Sequence, residues 1–88
     1  MFYTYVLVSF TGHDFYVGYT DDLKKRFREH ARGEVASTKH RRPLKLIYYE
    51  ACENKYDAIR REKFLKSGPG RKFLRKRLKF TLLKFNKR

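Results

Sequence analysis

The stretch FYVGYTDDLKKRFREH, residues 15–30, leaves the backbone few choices. Phe15, Val17 and Tyr19 alternate with Tyr16 and Gly18, the period-two pattern of a strand. Directly after it, Leu23 and Phe27 stand four apart, as do Arg26 and His30, which puts each pair on one face of a helix. Between the two patterns, Thr20 or Asp21 supplies a side-chain oxygen to cap the helix. Asp21 and Asp22 also set negative charge against the positive end of its dipole, and Gly33 stops it. A strand must therefore pass straight into an amphipathic helix. A phenol, a glycine, a guanidinium and an imidazole converge on that corner.

The rest of the chain supplies partners for it. Phe2 to Ser9, FYTYVLVS, is a continuous apolar and aromatic run that reads as a strand covered on both faces. Thr11-Gly12-His13-Asp14 is a turn, so residues 2–9 and 15–19 pair as an antiparallel hairpin. The first helix spans roughly 21–32 and is followed by a polar, basic loop from Glu34 to Pro43. Leu44 to Cys52 is the third strand. Asn54 caps a second helix over roughly 55–67, with Asp57 at the acidic position of a capping box and Ala58, Ile59 and Leu65 as its buried stripe. Gly68-Pro69-Gly70 ends that helix. Residues 71–79 read as a very basic helix, with Leu74, Leu78 and Leu82 at four-residue spacing and Phe73 and Phe80 as core. Leu78, Phe80 and Leu82 also alternate as a strand would; helix is the reading adopted past Phe80. The order β-β-α-β-α-α gives an α+β fold class, a small three-stranded, mostly antiparallel sheet flanked by helices. A single domain fills residues 1–88, with a core over about 2–80 and a basic tail over 81–88.

Charge narrows the partners. The 88 residues carry a formal +14, unevenly placed: residues 1–23 hold three Asp and no Lys or Arg, and no acid follows Glu62. Such a surface repels itself unless a polyanion is near, and nucleic acid is the usual one, with an anionic membrane surface as the runner-up. The basic segments Lys39 to Arg42 and Arg71 to Lys79 suit phosphate contacts rather than base reading. The lone Cys52 excludes an internal disulfide and a multi-cysteine zinc site. The N-terminal apolar run is too short for a membrane span and lacks the basic lead of a signal peptide, so a cytoplasmic protein is expected.

Five residues could carry chemistry. Glu62 falls on the apolar stripe of the second helix, where a carboxylate needs a cation. That cation is either a nearby Lys or Arg or a hard metal ion completed by waters and substrate phosphate. Tyr5 and Tyr16 lie on the paired strands, as sheet residues or as a proton-handling phenol facing the gap opened by Gly18. Arg26 either clamps a phosphate or belongs to a solvated basic face. His30 is either structural or an acid–base group near neutral pH. His13 and His40, in turn and loop, receive no role.

Taken together, Tyr5, Tyr16-Val17-Gly18, Arg26, His30 and Glu62 make the chain resemble the GIY-YIG nuclease superfamily. Tyr16-Val17-Gly18 matches the YIG element; Tyr3-Thr4-Tyr5 occupies the GIY position and keeps its final tyrosine. The eleven-residue step from Tyr5 to Tyr16 and the ten-residue step from Tyr16 to Arg26 also fit, with His30 one turn on and Glu62 on the later helix. The likeness covers about residues 2–80 and is nearest to small stand-alone bacterial members, which resemble the nuclease module of the bacterial excinuclease. It implies metal-dependent phosphodiester cleavage, with Tyr5 or Tyr16 deprotonating or orienting the attacking water, directly or through the metal. By the same resemblance Arg26 stabilises charge at phosphorus, His30 assists proton movement, and Glu62 holds one Mg²⁺ or Mn²⁺. Gly18, Lys24, Lys25, Lys39, Arg41, Arg42, Lys66, Arg71 and Lys72 are the expected nucleic-acid contacts, with Lys66 open also to a salt bridge with Glu62.

The expectation is a DNA endonuclease of repair or processing, guided by structure rather than sequence, with DNA favoured over RNA. No targeting domain accompanies it, so substrate choice falls to the module or to a partner protein. The alternative is a nucleic-acid-binding module of the same fold that has lost cleavage; a membrane-surface or ribosome-associated basic protein would give Glu62 no role.

Overall fold

A computed structural model describes residues 1–12 and 14–86; His13 and the tail residues 87–88 lie outside the described residues. Among the described residues the order is β1 (Phe2–Ser9), β2 (Phe15–Thr20), α1 (Leu23–Ala31), β3 (Leu44–Cys52), α2 (Lys55–Lys66), α3 (Gly68–Arg77) and α4 (Lys79–Asn86), with one 3-10 turn at Lys39–Arg41. The sheet runs β2-β1-β3 and is antiparallel throughout. Strand β1 is central, which explains its unbroken apolar run: Thr4 to Ser9 are all buried. Its pairing with β3 slips between Val6 and Leu7, where Ile47 is the extra residue.

Alternation along β1 divides its side chains between two layers. Val6, with Phe15 and Val17 of β2, packs on Leu65, Leu74 and Leu78 from the C-terminal helices. Thr4 points the same way and donates from Oγ1 to the Ala58 carbonyl of α2 at 2.8 Å. Tyr5 points to the opposite layer, where α1 lies. Glu50 of β3 holds Arg61 of α2 through two hydrogen bonds of 2.9 and 3.0 Å, and the guanidinium stacks on Phe64 and Phe73. This fork ties α2 to β3.

Four local expectations change. Asp22, not Thr20 or Asp21, caps α1, accepting from the Lys25 N–H at 3.1 Å. Thr20 is still in β2, and its hydroxyl is taken up by the backbone of Asp22. Gly68-Pro69-Gly70 does not end α2 but forms the first turn of α3 under a Ser67 cap, where proline's missing N–H costs nothing. Gly70 is required there, because a methyl group at its position would fall on the Phe64 carbonyl. The basic C-terminal helix is two helices, because Leu78 (φ −110°, ψ 27°) leaves helical geometry. Phe80 is not core but 79% exposed: on a helix it lies two residues, roughly 200°, from the inward Leu78. The helix reading past Phe80 holds, as does the Gly33 stop, whose φ of 77° closes α1 with N–H bonds from Gly33 to His30 and from Glu34 to Glu29. No helix among the described residues is long and apolar enough to cross a membrane.

Candidate active site

The register of the hairpin sets the site. Tyr5 pairs with Gly18, not with Tyr16, so its ring lies over the glycine. A methyl group at Gly18 would fall on the ring carbons and hydroxyl of Tyr5. Gly18 is buried, and the gap expected to admit a ligand is filled by the protein's own phenol. Gly18, expected as a nucleic-acid contact, lies under the Tyr5 ring.

That placement carries the Tyr5 hydroxyl to α1, where Oη and Nε2 of His30 lie 2.8 Å apart. Tyr16 closes on the same imidazole edge-on, with ring centroids 5.1 Å apart. His30 is fully buried, and its other nitrogen, Nδ1, lies 2.7 Å from Oγ1 of Thr38, also fully buried. Arg26, one turn before His30, bonds Glu29 at 3.0 Å, and its positive charge acts on the Tyr5 hydroxyl. The structure therefore brings Tyr5, Tyr16, Arg26 and His30 together.

Environment fixes their protonation. Burial pushes the Tyr5 hydroxyl up to about 12, against the hydrogen bond from Arg26, which favours the phenolate; Tyr16 and the charge of Glu62 push the same way as burial. Burial, reinforced by the positive charge of Arg26, pulls His30 down to about 4, with Glu29 opposing. His30 is a neutral imidazole at pH 7. The unfolded chain protonates the histidine near its ordinary 6.5, and the folded chain does so only near 4. The stabilisation is thus complete above pH 6.5 and is lost as pH falls through the window to 4, by up to about 3 kcal/mol. Urea unfolding between pH 7 and 4 should show this slope, and a His30→Gln protein should lack that part of it.

Glu62 comes from α2. Its carboxylate is 20% exposed and pairs with Lys66 Nζ at 3.0 Å, and its charge is felt at Tyr5. Among the described residues no three His, Cys, Asp or Glu side chains cluster as metal ligands. A single carboxylate does not cage an ion, but it suits a hard divalent cation that keeps most of its water and takes substrate phosphate as a further ligand. In that limited sense the residues fit Mg²⁺ or Mn²⁺.

Beside Arg26 an open groove runs along Tyr19, Thr20, Lys25, Glu29 and Lys55. Lys24 and Lys25 are exposed on α1, Lys39 and Arg41 on the following turn, and Lys72 on α3, with Arg71 half-buried. Arg42 is folded back, its Nε donating to the Lys39 carbonyl and its guanidinium lying against Gly33. Lys66 is engaged with Glu62. Sequence reasoning missed Glu29 and Thr38 as site residues. Glu29 stands three residues after Arg26, a helical pair spacing that gives a signal; Thr38 sits in a polar loop and gives none.

The family model described as the GIY-YIG catalytic domain matches residues 1–79. A UPF0213 protein of Limosilactobacillus reuteri is 41% identical over 68 residues, 74% of this chain and 70% of that one. One from Staphylococcus aureus is 39% identical over 70 residues, 78% of this chain and 85% of that one. Another, from Haloquadratum walsbyi, is 39% identical over 67 residues, 74% and 75% of the two chains. No solved structure matches significantly.

Proposed function

The chain belongs to the GIY-YIG catalytic-domain family, a nuclease-type family, and from that premise we propose that it is a divalent-metal-dependent endonuclease hydrolysing phosphodiester bonds in DNA. The observation that carries this reading is the convergence of Arg26 and His30 on one buried phenol, Tyr5, within electrostatic reach of Glu62. A module that only bound polyanions would need charge alone.

In this reading Arg26 faces the scissile phosphate and offsets the charge that builds on its non-bridging oxygens. Tyr5, rather than Tyr16, orients the attacking water and, once it has lost its own proton to solvent, takes the water's proton as a phenolate, because its hydroxyl bonds His30 and feels the charge of Arg26. The water oxygen bonds to phosphorus, one P–O ester bond breaks, and the departing oxygen takes a proton from solvent. Glu62 holds one Mg²⁺ or Mn²⁺, which supplies Lewis acidity at the phosphate. Lys24, Lys25, Lys39, Arg41, Arg71 and Lys72 bind the backbone on either side, so recognition follows nucleic-acid shape more than sequence. That suits a role in DNA repair or processing, in the cytoplasm, with a partner protein adding any further selectivity.

The test is a cleavage panel of duplex, fork, flap and single-stranded DNA and RNA with Mg²⁺, Mn²⁺ or chelator. Cutting of DNA that chelator abolishes is expected. Binding should weaken by about 10³ or more between 50 and 200 mM salt if six or more phosphates are contacted. Salt-sensitive binding without cutting anywhere in the panel would replace the enzyme by a binding module of the same fold.

A further inference from the structure

Thr38 Oγ1 is fully buried, and its one side-chain hydrogen bond among the described residues is to His30 Nδ1 at 2.7 Å. A hydroxyl has a single proton to donate, and a buried donor left unused costs more than an unused lone pair. Thr38, the imidazole and Tyr5 hold three protons for two hydrogen bonds, so one hydroxyl proton has no protein acceptor. Thr38 is 0% exposed and Tyr5 2%, and the positive charge of Arg26 at Tyr5 favours an accepting phenol oxygen. The threonine proton therefore lies on the line to Nδ1. A neutral imidazole with an accepting Nδ1 carries its own proton on Nε2. Nε2 faces the Tyr5 hydroxyl at 2.8 Å, so the imidazole is the donor in that bond and the phenol oxygen is the acceptor.

We propose that Thr38 is a positioning residue that locks His30 in the Nε2–H tautomer, making His30 a fixed hydrogen-bond donor to Tyr5 rather than a base that withdraws its proton. Tyr5 Oη then receives the N–H of His30 beside the positive charge of Arg26, and its own proton is directed away from both. The hydrogen bond and the attraction to Arg26 both strengthen as the oxygen becomes negative, so together they stabilise a phenolate. An imidazole that accepted from Tyr5 would do the reverse. The role expected from the sequence, His30 moving a proton, becomes one of holding a charge. The catalytic part of this inference rests on the nuclease reading; the tautomer does not.

The tautomer is read directly from two-bond ¹H–¹⁵N correlations of the His30 ring at pH 7, assigned against a His30→Gln protein. A protonated Nε2 with an unprotonated Nδ1 is expected, and a protonated Nδ1 overturns the proposal without any variant having to fold. Thr38→Val replaces the hydroxyl by a methyl group of similar size. It should release the tautomer to a mixture and slow cleavage about 10- to 100-fold, the usual effect of removing the group that orients a working histidine. The alkaline rise of the rate, which reports phenolate formation, should move to higher pH in Thr38→Val and return in Thr38→Ser. A merely structural threonine would lower the whole profile without moving it. Thr38→Val with an unchanged tautomer also overturns the proposal. A native protein that cuts nothing would remove the nuclease reading and leave the tautomer result standing.

Discussion

Glu62→Gln should lower the cleavage rate by about three orders of magnitude while leaving the protein folded and bound to nucleic acid. The substitution keeps the shape of the side chain and removes only its charge. If that charge serves the ion pair with Lys66, the loss is small, because the lysine partner is half exposed and such pairs contribute at most about 1 kcal/mol. If instead it holds a divalent cation at the phosphate, nearly all of the cleavage goes. Binding should be unchanged or tighter, since Lys66 loses its carboxylate and is available to a phosphate. Single-turnover cleavage, salt-dependent binding and urea unfolding of the same protein separate these outcomes. Full activity in Glu62→Gln removes the metal-ligand role, and a protein that unfolds shows that the carboxylate is held for structure.

The same glutamate shows what the sequence makes legible. A carboxylate between Ala58 and Leu65 on a helical stripe is anomalous at sight, because the anomaly is local to the helix. Strand β1 is legible for the same reason: a continuous apolar and aromatic run bounded by turn residues admits little else. What fails is whatever depends on how segments meet. Thr20 looks as good a cap as Asp22 until its hydroxyl is seen to be used by the chain two residues on. Gly68-Pro69-Gly70 looks like a stop because glycine and proline break helix interiors, yet at a first turn the same residues start a helix. Phe80 looks like core to a strand period and is solvent-facing on a helix.

The site divides along the same line. Arg26 and His30 are legible as a pair because one helical turn links them. The contact of His30 with Thr38 depends on the path of the chain after Gly33, which no periodicity encodes. The eleven-residue step between Tyr5 and Tyr16 fixes which strands meet but not their register, and the register decides that Tyr5 lies over Gly18. A one-residue slip would send Tyr5 to the other face of the sheet.

Gly18→Ala tests that register, and it should be the most damaging single-methyl change in the hairpin. The added carbon would occupy the volume of the Tyr5 ring and hydroxyl. Tyr5 is 2% exposed and has nowhere to retreat without breaking its bond to His30. Overpacking of this kind costs about 1–3 kcal/mol, and here it also moves the one phenol on which Arg26 and His30 converge. Cleavage should therefore fall in Gly18→Ala as it does in Tyr5→Phe, which removes the reacting hydroxyl, but Gly18→Ala should cost more stability, because Tyr5→Phe leaves the ring and its neighbours in place. The cause is isolated by repeating the change in a Tyr5→Ala background, where the methyl group enters space that the ring has vacated. Most of the stability cost should then disappear, leaving a coupling of about 1–3 kcal/mol between the two positions in urea unfolding. An equal cost in both backgrounds would mean that the glycine is needed for the strand itself. Tyr5 would then owe its position to α1 rather than to the absence of a side chain across the hairpin.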